Sequence, residues 1–185
     1  MFSHERKVPV TIGLEKGVVR LVPYQPSWKR YYEEEVERLR AAMKEKLLEI
    51  EHCGSTAIVG LVAKPIIDIA ATVRSIHDPH QFIPLLESLR YEYMEKDTVS
   101  GRLFFIQSTP DDKSLCHLSL TEPLSDFWYD QILFRNFLRS HPETQQEYSQ
   151  LKQELAERYP NDREAYLDGK AEFIRNVIEK AKTQH

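Results

Sequence analysis

The sequence predicts an α+β domain: a mixed, twisted sheet flanked by helices, with a helical set at its C-terminal end. The strand-like runs cluster between residues 48 and 121, and from Asp126 onward every apolar pattern has helical spacing. Three of those runs, residues 91–96, 102–108 and 114–121, follow one another through short turns, which asks for antiparallel pairing. At 185 residues one domain with a sizeable core is the natural count.

Composition narrows the class. Charged residues make up 29% and the formal net charge is −4, a balance that fits a soluble protein and disfavours nonspecific nucleic-acid binding. No apolar run reaches membrane-spanning length, and the opening MFSHERKVPV lacks the apolar core of a secretory leader, so a cytoplasmic location without membrane partners is expected. Cys53 and Cys116 fall in inner strands and form no CxxC pair; they read as reduced small hydrophobes, not as a disulfide or zinc site.

In chain order, residues 1–17 form an N-terminal arm and residues 18–185 the single domain. A β-like run at residues 8–12, ended by Gly13, is either a frayed arm or an added edge strand. Residues 18–22 read as a strand, closed by the punctuation Pro23-Tyr24-Gln25-Pro26-Ser27. A helix over 27–48, N-capped by Ser27, carries Trp28, Tyr32, Val36, Leu39, Met43 and Leu47 at helical spacing, an ordinary core stripe. Residues 48–52 are the first central strand, 55–60 a short helix, and 66–73 a second central strand apolar enough to be buried on both faces. His77-Asp78-Pro79-His80 opens the next helix with Asp78 as cap; its two histidines read as an exposed helix entry, not a metal site. After the three antiparallel strands, helices over 128–140, 142–159 and 163–182 are separated by Pro142 and Pro160-Asn161-Asp162. The strand over 102–108 is a possible edge for pairing between chains.

Asp68 is the one charge in the 66–73 run, and a carboxylate there is costly unless a metal, a base or hydrogen bonds compensate it. His52 ends its strand beside Gly54-Ser55. In LCHLSL, alternation puts His117 and Ser119 on one face and Cys116, Leu118 and Leu120 on the other. Where these strands are neighbours, His52, Asp68 and His117 converge, as a site for Zn, Mn or Fe or as a base–carboxylate pair. A satisfied buried histidine is the plainer reading of either ring. Lys64 is a phosphate contact or a loop lysine. Arg135 and Arg139, four apart, share a helix face, with Arg135 a phosphate clamp or a surface ion pair. Lys152 and Lys170 add cations for the fold to turn toward the cleft, and Arg102 ranks below them.

Gly54-Ser55 followed by Asp68 on an apolar strand resembles the nucleotidyltransferase signature, in which Gly-Ser opens a helix over a phosphate and two acids one residue apart hold metal. The second acid would fall at Ala70. The chain more closely resembles the GrpB family of that superfamily. The motifs are His52-Cys53-Gly54-Ser55-Thr56, Lys64-Pro65-Ile66-Ile67-Asp68-Ile69, Phe134-Arg135-Asn136-Phe137-Leu138-Arg139, and the late Tyr148 with Leu151-Lys152. It departs from the family's pattern at Ser119, where a second histidine is usual, and at Asn136, where an aspartate is usual. The resemblance implies a nucleotidyltransferase-like fold and a nucleotide or phosphorylated metabolite as partner, with Mg or Mn as cofactor. It implies catalytic Asp68 and His117, phosphate contacts from Gly54, Ser55, Lys64, Arg135 and Lys152, and metal held by Asp68, His52 and His117. Glu122 is the candidate for the missing acid. Three functions are then expected, in order: a metal-dependent nucleotidyltransferase, a binding module without catalysis, and a His/Asp metal-site hydrolase.

Overall fold

A computed structural model describes residues 12–99 and 101–184; most of the β-like run at 8–12 lies outside them. The elements are β1 (Leu14–Glu15), α1 (Ser27–Met43), β2 (Glu49–Cys53), β3 (Ile67–Thr72), α2 (Ile83–Glu87), β4 (Tyr91–Tyr93), β5 (Leu103–Ser108), β6 (Lys113–Thr121), α3 (Asp126–Ser140), α4 (Pro142–Arg158) and α5 (Arg163–Thr183). The sheet order is β2-β3-β6-β5-β4, with β1 added on β6. The β3–β6 pair is parallel and the other pairs are antiparallel, as the short turns between β4, β5 and β6 require. A parallel pair needs a long crossover, and the segment from α2 through β5 supplies it.

One face of the sheet carries the main core. Trp28, Leu39 and Met43 of α1 and Leu86 of α2 close over Ile67, Ile69 and Ala71 of β3, Leu118 and Leu120 of β6, and Phe105 of β5. Ile67 is fully buried, and burial of such a side chain stabilises by about 2 kcal/mol. The other face is covered by α3, whose Trp128 packs on Cys53 and Ala70. Helices α3, α4 and α5 have their own apolar contact through Phe134, Leu138, Tyr148 and Ile178. There Gly169 of α5 lets Leu155 of α4 come close: a Cβ on Gly169 would stand 2.4 Å from its Cδ2.

Several expectations are corrected. Residues 18–22 do not form a strand; only Val22 bridges to Ala63. Val19 instead donates its N–H to Pro160 and packs with Leu155 and Tyr166, so the segment straps across α4 and α5. Ser27 does not cap α1; Pro26 stands at the cap position without a side-chain bond. The helix stops at Met43, because Lys44 takes a positive φ of 50° and opens a 3-10 turn, Lys44–Lys46. The helix expected after Gly54 is a single 3-10 turn, Ser55–Ala57. The strand at 102–108 lies inside the sheet between β6 and β4, which removes it as an edge for pairing between chains. Asp78 does cap the turn at Pro79, accepting from the His80 N–H at 3.1 Å.

Candidate functional site

The site grows from two paired strand residues. Parallel register sets Asp68 of β3 opposite His117 of β6, both on the α3–α5 face, and their side chains meet with His117 Nδ1 3.2 Å from Asp68 Oδ1. Beside them the chain turns through Gly54. Gly54 has φ 65°, and a Cβ on it would stand 2.2 Å from Asp68 Oδ2. Glycine is needed there twice over, for the backbone angle and for the close approach of the carboxylate.

Cations surround this pair. Lys64, Arg163 and Lys170 line a recess of about 110 Å³ with Ser55, Asp68 and His117, and Tyr166 forms its wall. Lys64 and Lys170 stand 5.7 and 4.9 Å from the centre of the Tyr166 ring. Among the described residues, none of Lys64, Arg163 and Lys170 has a carboxylate within ion-pair distance. Burial, with Lys64 beside it, pushes the Lys170 ammonium down to about 8 even though Asp68 opposes the shift. Burial likewise lowers Lys64, against the pull of Asp68. Burial pushes the Asp68 carboxyl up, but the bond and charge of His117, with Lys64 and Lys170, outweigh it and hold Asp68 below the ordinary carboxylate range.

The recess opens into a larger cleft of about 800 Å³. Arg102 lies over the rings of Phe104 and Phe127, at 4.7 and 5.3 Å from their centres, and donates Nη2 to the Asp97 carbonyl at 2.7 Å. The cleft is thus cationic at its floor and flat and aromatic on one wall.

The anticipated residues separate into three groups. Asp68, His117, Gly54, Ser55 and Lys64 come together at the recess. Lys152 reaches it from below: its side chain is buried, donates to Ser55 Oγ at 2.9 Å and to the Val62 carbonyl, and so holds the 54–62 loop. His52 and Arg135 are not brought to it. His52 pairs with Ile69, not Asp68, and so faces α1, stacked on Tyr32 at 4.6 Å and bonded to Thr56 Oγ1 at 3.0 Å. Burial drives its pKa down to about 4, a neutral packed ring. Arg135 is buried and spent on β2, donating Nη1 to Glu51 at 2.6 Å and to the His52 carbonyl at 2.8 Å. Arg139 holds the Ala57 carbonyl with two donors. Arg163, Tyr166, Phe104 and Phe127 escaped the sequence reading. The spacing of Arg163, Tyr166 and Lys170 on one face of a helix was the available signal.

A divalent metal does not fit these residues. Asp68 contributes the one carboxylate, already bonded to His117, and three cations beside it repel a metal ion. Ala70, where a second acid would stand, is buried against Cys53 and Trp128. Among the described residues no three His, Cys, Asp or Glu side chains are grouped to hold a metal. Glu122 offers no rescue. It accepts the Ile76 N–H at 3.1 Å, five residues along the strand from His117, roughly 16 Å away.

A family model described as GrpB protein matches residues 18–180. The glutamate-rich protein GrpB of Alkalihalophilus pseudofirmus is 35% identical over 170 residues, covering 90% of this chain and 98% of its own length. The crystal structure of the conserved protein GrpB from Enterococcus faecalis superposes with a TM-score of 0.81 at 32% identity, covering 89% of this chain and 98% of that one. The Cid1 poly(U) polymerase, solved with MgGTP bound, has a TM-score of 0.52 at 14% identity and covers 74% of this chain and 44% of its own, a likeness of fold.

Proposed function

The chain belongs to the GrpB family, and from that premise we propose that its cleft binds a phosphate ester, of the nucleotide or phosphorylated-metabolite class, through protein cations instead of a metal. The observation that carries this reading is the convergence of Lys64, Arg163 and Lys170 on one recess without carboxylate partners among the described residues. Like charges held together in a half-buried site cost stability, and a dianionic phosphate removes that cost. The stacked Arg102, Phe104 and Phe127 offer a flat surface of the kind an aromatic base takes. The buried Ala70, standing where a second acid would be needed, argues against two-metal nucleotidyl transfer, the first function expected from sequence. Cytoplasmic residence is part of the same reading. It is supported by two buried, unbridged cysteines, and no described helix is long and apolar enough to cross a membrane.

Thermal unfolding with nucleoside triphosphates and p-nitrophenyl phosphate, in excess EDTA and with Mg or Mn, tests the proposal. A ligand at a hundred times its Kd adds about 2.7 kcal/mol of stability by mass action. The expected result is a rise in melting temperature that persists in EDTA and disappears in Lys170→Met. That variant should itself melt slightly higher without ligand, because one of the crowded cations is gone. A rise that requires Mg or Mn would overturn the metal-independent reading, and no rise with any of these esters would overturn phosphate-ester binding.

A further inference from the structure

We propose that His117 is a nucleophile in this cleft, its Nε2 attacking the phosphorus of the bound ester and carrying the phosphoryl group as a covalent intermediate. The inference rests on the phosphate-ester reading above and extends it from binding to a metal-free hydrolysis. Its first support is the Asp68–His117 bond. A carboxylate at Nδ1 accepts that nitrogen's proton in a hydrogen bond, which leaves the ring's lone pair on Nε2. The second is the direction in which Nε2 is left. Among the described residues no hydrogen-bond partner meets it, while the ring lines both the recess and the larger cleft, with Phe104 edge-on at 5.4 Å.

The third support is size. The recess, about 110 Å³, is small beside the cleft of about 800 Å³ into which it opens. A phosphoryl group held there by Lys64 and Arg163 lies in the same small recess as the imidazole. The larger cleft with its aromatic wall remains for the leaving group.

The chemistry balances without a co-reactant other than water. The Nε2 lone pair forms a P–N bond as the ester P–O bond breaks. The departing oxygen keeps the bonding pair and takes a proton from the Lys170 ammonium. Water then attacks the phosphorus, the P–N bond breaks with its electrons returning to Nε2, and the water's proton goes to the Lys170 amine. The sum is ester plus water to alcohol plus phosphate. Lys64 and Arg163 neutralise the charge that builds on the phosphoryl oxygens. The lowered pKa of Lys170, about 8, suits an amine that gives and takes a proton near neutral pH.

The test uses the full chain, p-nitrophenyl phosphate and excess EDTA, with rapid quenching in alkali and intact-mass measurement. The expected product is protein carrying one phosphoryl group, mapped to His117, stable in alkali and lost in acid. His117→Ala, shown to be folded by its cooperative unfolding transition, should lose the label, and Asp68→Asn should slow labelling by on the order of 100-fold. Release of p-nitrophenol with no labelled protein at any quench time would assign the imidazole to a water and overturn the proposal. So would label that persists in His117→Ala, or a thermal shift in the wild type with neither label nor release. If no phosphate ester shifts the melting temperature, the phosphate-ester reading itself fails, and the covalent step with it.

Discussion

Glu35 on α1 and Asp68 on β3 are carboxylates drawn against opposite faces of one sheet, and the protein treats them in opposite ways. Glu35 has a side chain only 3% exposed and receives bonds from the Tyr91 hydroxyl at 3.0 Å, the Gln107 amide at 3.1 Å and Arg38 at 2.5 Å. Nothing around it is left over. Asp68 is 42% exposed, takes one bond from His117, and sits beneath cations that outnumber it. A buried charge whose partners are all satisfied holds a structure together, whereas a cluster with surplus charge facing a cavity awaits something from outside.

The most destructive way to test this contrast is to delete the satisfied acid. Glu35→Ala leaves the Tyr91 hydroxyl and the Gln107 amide buried without their acceptor, at a cost of about 2–4 kcal/mol by urea denaturation. Its effect on phosphate-ester binding should be small once the protein is folded. If binding fell as steeply as stability, the two faces would not be separable as drawn here. Next in size is Gly54→Ala, which combines a positive φ with a clash at 2.2 Å from Asp68 Oδ2. It should cost about 1–3 kcal/mol and also weaken the ligand-induced thermal shift, because the atom displaced belongs to the site.

The finest test is the pH dependence of unfolding. For Glu35, burial raises the pKa above the ordinary 4.5 despite Arg38 and the bonds it accepts, so its contribution to stability is present below 4.5 and fades as pH rises through the folded value. For Asp68, burial is outweighed by His117 and the lysines, so its contribution is present above the ordinary 3.8 and fades as pH falls below it. Glu35→Gln should therefore remove a loss of stability on raising pH, and Asp68→Asn a loss on lowering it. Slopes of the same sign in the two difference curves would refute the contrast.

The sheet was legible because its signals are local and periodic. Alternation in LCHLSL separated His117 and Ser119 from Cys116, Leu118 and Leu120, and the structure keeps that division. Asp68 stood out as a lone charge in an apolar strand. What stayed hidden depends on contacts distant in sequence. His52 was expected at Asp68 from its place beside Gly54, but antiparallel register pairs it with Ile69, and the pleat turns its ring to α1. Arg135 shares the family motif, yet the seat of α3 on β2 commits it to Glu51 and the His52 carbonyl. Arg163 belongs to the site because the strap through Val19 and the tight seat of Gly169 on Leu155 fix α5, and neither contact announces itself in the chain.

The parallel pairing of β3 with β6 places Asp68 beside His117 although the two are 49 residues apart in sequence. That alignment is indexed by the hydrophobic residues between them. A slip of one position would turn His117 into the space of Leu118 and bring a greasy side chain to the carboxylate, while stripping Cys116, Leu118 and Leu120 from the core. The pair therefore needs no fastening of its own. Single substitutions lining the cleft can alter which molecule is accepted, but an inserted or deleted residue in either strand would dismantle the chemistry and the fold together.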